Sequence, residues 1–179
     1  MRIAIRFAGS AALLAVCISC GDVVRQSRSP VLLVVTAVGD ASGKTPLNSD
    51  VDNFVNDAGQ AVLEAAMKDI LVSPTSNNIV TLNRYHVQYA RTDGRNVQGQ
   101  DVPYAFDAAL TGTIVPGQTT TVSFDLVRHA AKHEAPLTQI AAGGTVVTCF
   151  TTITFYGQDA VGNETSATGT ISINFGRFQ

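Results

Sequence analysis

Apolar and polar residues alternate along several long segments of the chain, and this period of two predicts β-strands. The clearest pair is Val147–Phe155 and Ala167–Phe175, which flank the Gly- and Asn-containing segment Asp159–Asn163. Alternation on both sides of such a turn is typical of a β-hairpin. Thr119–Val127 alternates in the same way, and so does Ile79–Arg91. In the last of these we expect the face that carries two tyrosines and a valine, Tyr85, Val87 and Tyr89, to be buried.

The remaining segments are less regular. Val31–Val38 is a continuous run of mostly β-branched apolar residues, which predicts a buried strand, and Phe106–Val115 also reads as a strand. Gly39–Asp57 is rich in Gly, Ser, Asn and Asp and predicts a long loop. Arg128–Gly144 is irregular and is interrupted by Pro136, with room for one helical turn.

Ala61–Leu71 fits two patterns. Leu63, Met67 and Ile70 would line one side of a helix, whereas Leu63, Ala65 and Met67 would line one face of a strand. Because the neighbouring segments all favour strands, we predict a strand here and keep the helix as the alternative.

About seven strands separated by turns, in a chain of this length, predict an all-β fold, an antiparallel β-sandwich over residues 30–179. The composition agrees, since Thr, Val, Ala and Gly are abundant and only 15% of residues are charged. A mature chain of about this size can bury a core without covalent cross-links.

The segment Phe155–Glu164 places an aromatic strand before a D-x-x-G-N turn, and Tyr85–Tyr89 is followed by Asp93-Gly94. In these features the chain resembles the immunoglobulin-like and fibronectin type III-like domains of bacterial surface proteins. The resemblance implies an immunoglobulin-like sandwich that acts as an extracytoplasmic binding or scaffold module. It brings no catalytic residues, and the chain lacks the tryptophan and cysteine pair of antibody domains.

Residues 1–20 have the order of a secretory signal: Arg2 and Arg6, then the apolar run Phe7–Ile18, then Ser19 before Cys20. The Ser19-Cys20 step resembles the lipobox of bacterial lipoproteins, in which the cysteine is acylated and becomes the new N-terminus. The position three residues before Cys20, usually Leu, Val or Ile in that family, is Cys17 here. A second register ending at Cys17 would place Val16 at the cut, so we predict lipidation at Cys20; simple cleavage or an uncleaved anchor are the alternatives.

This assignment predicts a signal peptide with a helical apolar segment over residues 1–19 and a lipidated, polar tether over residues 20–29. Cleavage removes two arginines and leaves ten basic against fourteen acidic residues. A mildly acidic chain without a basic stripe gives no reason to expect a nucleic acid partner. Cys149 becomes the last unmodified cysteine, so no intramolecular disulfide is expected. Its position in an alternating apolar strand predicts a buried, inert thiol.

The candidates for chemistry are few. Gly39–Thr45 resembles a nucleotide-binding loop, but its glycines are separated by three residues where four are required, so we expect no nucleotide. His129, His133 and Glu134 form the strongest metal-like cluster, with the histidines one helical turn apart, but they lack the H-E-x-x-H order and an evident third ligand. We therefore assign no metal or cofactor and keep these three as weak candidates. Calcium bound by loop carboxylates stays open, although no D-x-D-x-D-G spacing is present; the carboxylates concerned are Asp50, Asp52, Asp57, Asp93, Asp101 and Asp107.

The sequence thus predicts a membrane-anchored lipoprotein of the bacterial envelope, facing the periplasm or the cell surface, with a non-enzymatic binding or scaffold role. Its predicted partners are the membrane, through the N-terminal lipid, and an envelope protein. Two alternatives remain: a subunit of an envelope assembly, and a hydrolase with a dispersed, metal-assisted site.

Overall fold

The computed structural model describes residues 28–178, and this part of the chain is all-β, with eight strands in two sheets. The strands are β1 (Val31–Asp40), β2 (Leu47–Asp50), β3 (Asp57–Met67), β4 (Val80–Arg91), β5 (Phe106–Ile114), β6 (Thr119–Val127), β7 (Val147–Asp159) and β8 (Glu164–Gly176). Two short helices, α1 (His129–Lys132) and α2 (Leu137–Gly143), lie between β6 and β7. A single 3₁₀ turn, Ser76–Asn78, precedes β4.

One sheet has the strand order β1-β3-β6 and the other the order β2-β8-β7-β4-β5. All neighbouring strands are antiparallel except β2, which runs parallel to β8. The all-β prediction is confirmed. The expectation of a purely antiparallel arrangement is wrong at β2, a four-residue strand inside the segment Gly39–Asp57 that the sequence predicts to be a loop. Its residues, Leu47 to Asp50, are mostly polar, and it forms by pairing along the end of a long strand distant in the sequence.

The predicted hairpin is formed by β7 and β8, in a register that pairs Cys149 with Ile173 and Phe155 with Ala167. Gly162 in the connecting turn has φ +88°, a left-handed conformation that glycine adopts without steric cost. Cys149 is 1% exposed, so the prediction that its thiol is buried is confirmed.

The ambiguous segment Ala61–Leu71 is a strand as far as Met67. Ala61, Leu63 and Ala65 are buried while the residues between them are partly exposed, which is the period-two pattern of a half-buried strand. The strand prediction is confirmed over these residues, and the helical alternative is wrong.

In β4 the tyrosine face is buried as predicted, but Leu82 is buried with it rather than on the opposite face. A β-bulge between Leu82 and Arg84 causes this, because one extra residue reverses the alternation on either side of it. The continuous apolar strand β1 is also less buried than predicted, since Leu32 is half exposed.

The two sheets share one apolar core. Phe124 of β6 meets Tyr85 of β4 and Phe155 of β7 at ring-centroid distances of 5.3 and 5.1 Å, in edge-on geometry that aromatic pairs favour. The Tyr89 hydroxyl crosses between the sheets and donates to the carbonyl oxygen of Leu126. Burial of this phenol raises its pKa well above the usual range, so it stays protonated and keeps this bond.

The strand registers gather the loops at two ends of the molecule. We call proximal the end at which the described chain begins, at residues 28–30. Val31 pairs with Met67 at the end of β3, and Val80 pairs with Asp159 at the end of β7. The connections at the proximal end are therefore 68–79, 115–118 and 160–163. Ser29 is buried there and its hydroxyl donates to the Asp159 carboxylate at 3.2 Å.

The opposite end we call distal. Asp57 pairs with Val127, and Arg91 pairs with Cys149, so β3 and β7 begin where β6 and β4 end. The connections at the distal end are 41–46, 51–56, 92–105 and 128–146. They are longer than those at the proximal end, apart from 68–79, and they include α1 and α2.

Candidate functional site

A buried lysine organises the distal end. The Lys132 side chain in α1 is fully buried, and its ammonium donates to the Asp57 carboxylate and to the carbonyl oxygen of Asn53, both at 2.9 Å. The hydroxyl of Ser49 in β2 donates to the same carboxylate. The pair thus ties α1, β2 and the start of β3 together. Sequence reasoning missed this contact, because a lysine in a polar run gives no sign of being buried.

The three weak metal candidates are only partly brought together. The Nε2 atoms of His129 and His133 are 3.2 Å apart, as expected for residues one helical turn apart. The His133 ring stacks on Phe54 at a centroid distance of 4.4 Å, and the His129 amide donates to the Asn56 side chain. Glu134 does not complete a set: within residues 28–178 no three His, Cys, Asp or Glu side chains are close enough to hold one metal ion. Two histidines fall short of the three protein ligands usual for catalytic zinc.

An arginine cluster also lies at the distal end, where β4 ends. Asp93 accepts hydrogen bonds from Nε and Nη2 of Arg91, at 3.0 and 2.6 Å, and from the same atoms of Arg95, at 3.1 and 3.0 Å. The hydrogen bonds from Arg91 are the main reason why the Asp93 pKa lies well below its usual range, and the hydrogen bonds from Arg95 lower it further. The carboxylate is therefore charged at any physiological pH and fixes both guanidinium groups.

These arginines border an open cleft with a volume of about 550 Å³. Residues of α2 and the start of β7 also line it, and Asp101 adds a negative charge to the lining. Small-molecule sites are usually enclosed and mostly apolar, whereas this cleft is open and mainly polar. The lining residues are Arg91, Arg95, Gln100, Asp101, Pro136, Gln139, Ile140, Thr145, Val146 and Val147.

The loop that resembles a nucleotide-binding sequence has its own internal partner. The Asp40 carboxylate accepts the backbone N–H groups of Ser42 and Lys44, at 2.8 and 2.9 Å, and the Ser42 hydroxyl. These hydrogen bonds, above all the one from Lys44, lower the Asp40 pKa. The amides that would point at a phosphate in a nucleotide-binding loop are thus bound to a carboxylate of the loop itself.

The loop carboxylates considered for calcium are dispersed over separate contacts. Asp52 pairs with Arg177, and Asp107 with Arg84 and His86. Asp57 and Asp93 have the partners described above. Within the described part of the chain they do not gather into a group of three.

Cys20, the predicted lipidation site, lies outside the described residues, as do the predicted signal peptide and all of its tether before residue 28. In residues 28–178 there is no helix of the length and apolar character needed to span a bilayer.

Known proteins provide little information about this site. No protein-family model matches the chain, and no curated protein matches it. A search of solved structures finds similarity to the crystal structure of Spo0M, a sporulation control protein from Bacillus subtilis, at 11% sequence identity and a TM-score of 0.33. The match covers 80% of this chain and 49% of that one, so the chain spans about half the length of Spo0M. A TM-score this low does not indicate a shared fold.

Proposed function

We propose that this protein is a lipoprotein of the bacterial envelope that binds or scaffolds a partner protein without catalysing a reaction. The N-terminal order of charge, apolar run and Ser19-Cys20 supports attachment through a lipid on Cys20. In the mature chain, Gly21–Arg28 would separate the acylated cysteine from the buried Ser29. Eight residues span at most about 28 Å when fully extended, so the domain would stay close to the membrane.

One observation supports a binding role above the others, namely the unequal character of the two ends. The chain enters at the proximal end, where Ser29 is fixed to Asp159. The two longest connections, 92–105 and 128–146, lie at the distal end with the arginine cluster and the open cleft, at the end opposite residues 28–30. A tethered module with its polar cleft at the end opposite its tether is suited to reach a partner in the envelope.

The strand order supports an immunoglobulin-like sandwich of the fibronectin type III kind. In immunoglobulin-like sandwiches the second and fifth strands are neighbours in one sheet, and the third, sixth and seventh are neighbours in the other. With β1 and β2 taken as two halves of the first strand, β3 and β6 correspond to the former pair and β4, β7 and β8 to the latter. The edge strand β5 then corresponds to the extra strand beside the third. Tyr85 in β4 occupies the core where antibody domains have a tryptophan on that strand.

Arg95 is the lining residue of the cleft that suits a partner segment carrying a carboxylate. Arg95 is largely exposed, and its planar guanidinium has five N–H donors, of which Asp93 uses two. Bidentate pairing with carboxylates is the geometry in which arginine excels over lysine.

The test is cross-linking and affinity purification of the full-length protein from membranes. We expect a protein partner whose recovery falls at least tenfold in the Arg95→Ala variant. The Arg84→Ala variant is the matched control, because Arg84 is similarly exposed but lies on the outer face of β4, over the Tyr156 ring. Equal recovery with both variants would contradict a role for the cleft, and the absence of any partner would contradict the binding function itself.

A further inference from the structure

Three consecutive apolar residues are exposed in the connection between β3 and β4. Ile70 is 92% exposed, Leu71 89% and Val72 49%, and the first two exceed every other large apolar side chain in the described residues. Isolated apolar side chains are common on protein surfaces. A run of three consecutive exposed apolar residues is unfavourable in water and therefore indicates a contact surface.

The tip that carries these residues is held by its own turn. The backbone N–H of Leu71 donates to the Asp69 carboxylate at 2.9 Å, and that of Val72 donates to the Asp69 carbonyl oxygen at 3.2 Å. Ile70 and Leu71 therefore project from a formed turn.

The turn lies next to the start of the described chain. The backbone N–H of Lys68 donates to the carbonyl oxygen of Pro30 at 2.9 Å, so the turn begins directly beside the point where the tether joins the domain. Two other exposed valines, Val115 and Val161, lie in the remaining connections of this proximal end.

We propose that the Ile70–Val72 turn inserts into the lipid bilayer that holds the acylated Cys20, and so fixes the orientation of the domain on the membrane. This inference rests on the proposed lipoprotein function. A tether of at most about 28 Å keeps the proximal end near the bilayer, so contact with lipid is intramolecular and is favoured over an encounter with a free partner. Arg28 at the same end, which is exposed, is suited to anionic headgroups beside the inserted side chains.

The distal end also exposes apolar residues, but their arrangement differs. Val97 and Val146 belong to separate loops, and Phe54 is covered on one side by the His133 ring. Val146 lines the proposed partner cleft, and all three residues lie at the end opposite the tether, where a membrane that holds the same molecule does not reach them.

The chain contains no tryptophan, so a single tryptophan reports its own surroundings. We would introduce Leu71→Trp in the full-length protein, purify it from membranes and reconstitute it in phosphatidylethanolamine–phosphatidylglycerol vesicles with brominated acyl chains. The control is Val97→Trp, which replaces an exposed apolar residue at the distal end. We expect a blue-shifted emission and several-fold stronger quenching for Leu71→Trp than for Val97→Trp. An Ile70→Trp variant should behave like Leu71→Trp, and it serves if that variant folds poorly.

Intact-mass analysis of Cys20 in the same preparations separates the two proposals. An acylated Cys20 with equal or no quenching of the two tryptophans would overturn membrane insertion and leave the lipid anchor standing. An unmodified Cys20 with strong quenching of Leu71→Trp on addition of vesicles would overturn the anchor and support the membrane-binding turn. An unmodified Cys20 without quenching would overturn both.

Discussion

Thr151 and Cys149 lie on the buried face of β7, and each places a small polar group in an otherwise apolar core. The Cys149 thiol is a weak hydrogen-bonding group and tolerates such a place. The Thr151 hydroxyl is different, because its Oγ1 is buried without a hydrogen-bond partner among residues 28–178. A buried hydroxyl that has lost its water and gained no partner destabilises the folded state.

We therefore predict that Thr151→Val raises the free energy of unfolding by about 1 kcal/mol, because valine has the same shape and no hydroxyl to desolvate. Urea unfolding followed by circular dichroism measures this. Thr152→Val is the control: Thr152 is partly exposed on the opposite face, and we expect a change within about 0.5 kcal/mol. A destabilised Thr151→Val variant would indicate that the hydroxyl has a partner after all.

Burial also determines the reactivity of Cys149. It raises the pKa of the thiol to about 11, an effect that the positive charge of Arg91 only partly offsets. At pH 8 roughly one thiol in a thousand is then ionised, and the thiolate is the form that reacts. We predict that alkylation by iodoacetamide at pH 8 is at least a hundredfold slower in folded protein than in protein unfolded in urea. Similar rates in both states would contradict the β7 register and reopen a chemical role for this cysteine.

At the scale of elements, the Lys132–Asp57 pair is the contact on which the distal loops depend. Replacing Lys132 by Met leaves the Asp57 carboxylate, which is only 14% exposed, without its cation. Removal of one partner of a buried ion pair costs about 3–5 kcal/mol. We predict a loss of about 3 kcal/mol in the free energy of unfolding for Lys132→Met, measured by urea titration at pH 7.

The double variant Lys132→Met, Asp57→Asn tests the cause of that loss. It removes both charges and keeps a polar partner for Ser49, so we expect it to recover at least half of the lost stability. If the double variant is no more stable than Lys132→Met alone, the loss comes from the packing of the lysine stem and not from an uncompensated charge.

Local pattern predicted most strands because alternation is a property of each strand by itself. Thr119–Val127 matches β6 at both ends, and the β7–β8 hairpin follows from two alternating runs and one turn. By contrast, β2 forms only because β8 offers it an edge, and the bulge in β4 depends on two neighbouring strands at once. Contacts between residues distant in the sequence decide both features, so a pattern within one segment does not reveal them.

The distal site was less accessible to sequence reasoning than the fold. The i, i+4 spacing of His129 and His133 predicted only that they would lie one helical turn apart on a helix; in the structure their Nε2 atoms are 3.2 Å apart. Lys132 is buried through its contacts with Asp57 and Asn53, which are more than seventy residues away in the sequence. The arginine cleft forms because the end of β4 pairs with the start of β7. Contacts between residues this far apart in sequence cannot be predicted from local residue spacing.

For the whole molecule, the two proposals assign membrane contact to the proximal end and partner binding to the distal end. The proximal end would join the proposed tether and exposes the Ile70–Val72 turn, while the distal end carries the cleft lined by Arg95 and α2. The turn and the cleft are separated by the full length of the strands. A substitution in the turn should therefore leave partner binding unchanged, and a substitution in the cleft should leave membrane contact unchanged. Under the proposed function, the lipid on Cys20 would determine where this arrangement acts, because acylation at the N-terminus would keep the proximal end at a membrane.

The chain provides its own control for the site of acylation, since Cys17 and Cys20 both end an apolar run. Acyl chains hold a protein at a bilayer in proportion to their buried methylene groups, so a variant that cannot be acylated loses that attachment. We predict that Cys20→Ala is released from the membrane fraction or accumulates as an unprocessed precursor when expressed in a bacterium. Cys17→Leu, which places the usual leucine three residues before Cys20, should be processed and stay membrane-bound. Fractionation followed by intact-mass analysis distinguishes the registers: retention of Cys20→Ala together with an acylated Cys17 would show that the anchor lies three residues earlier.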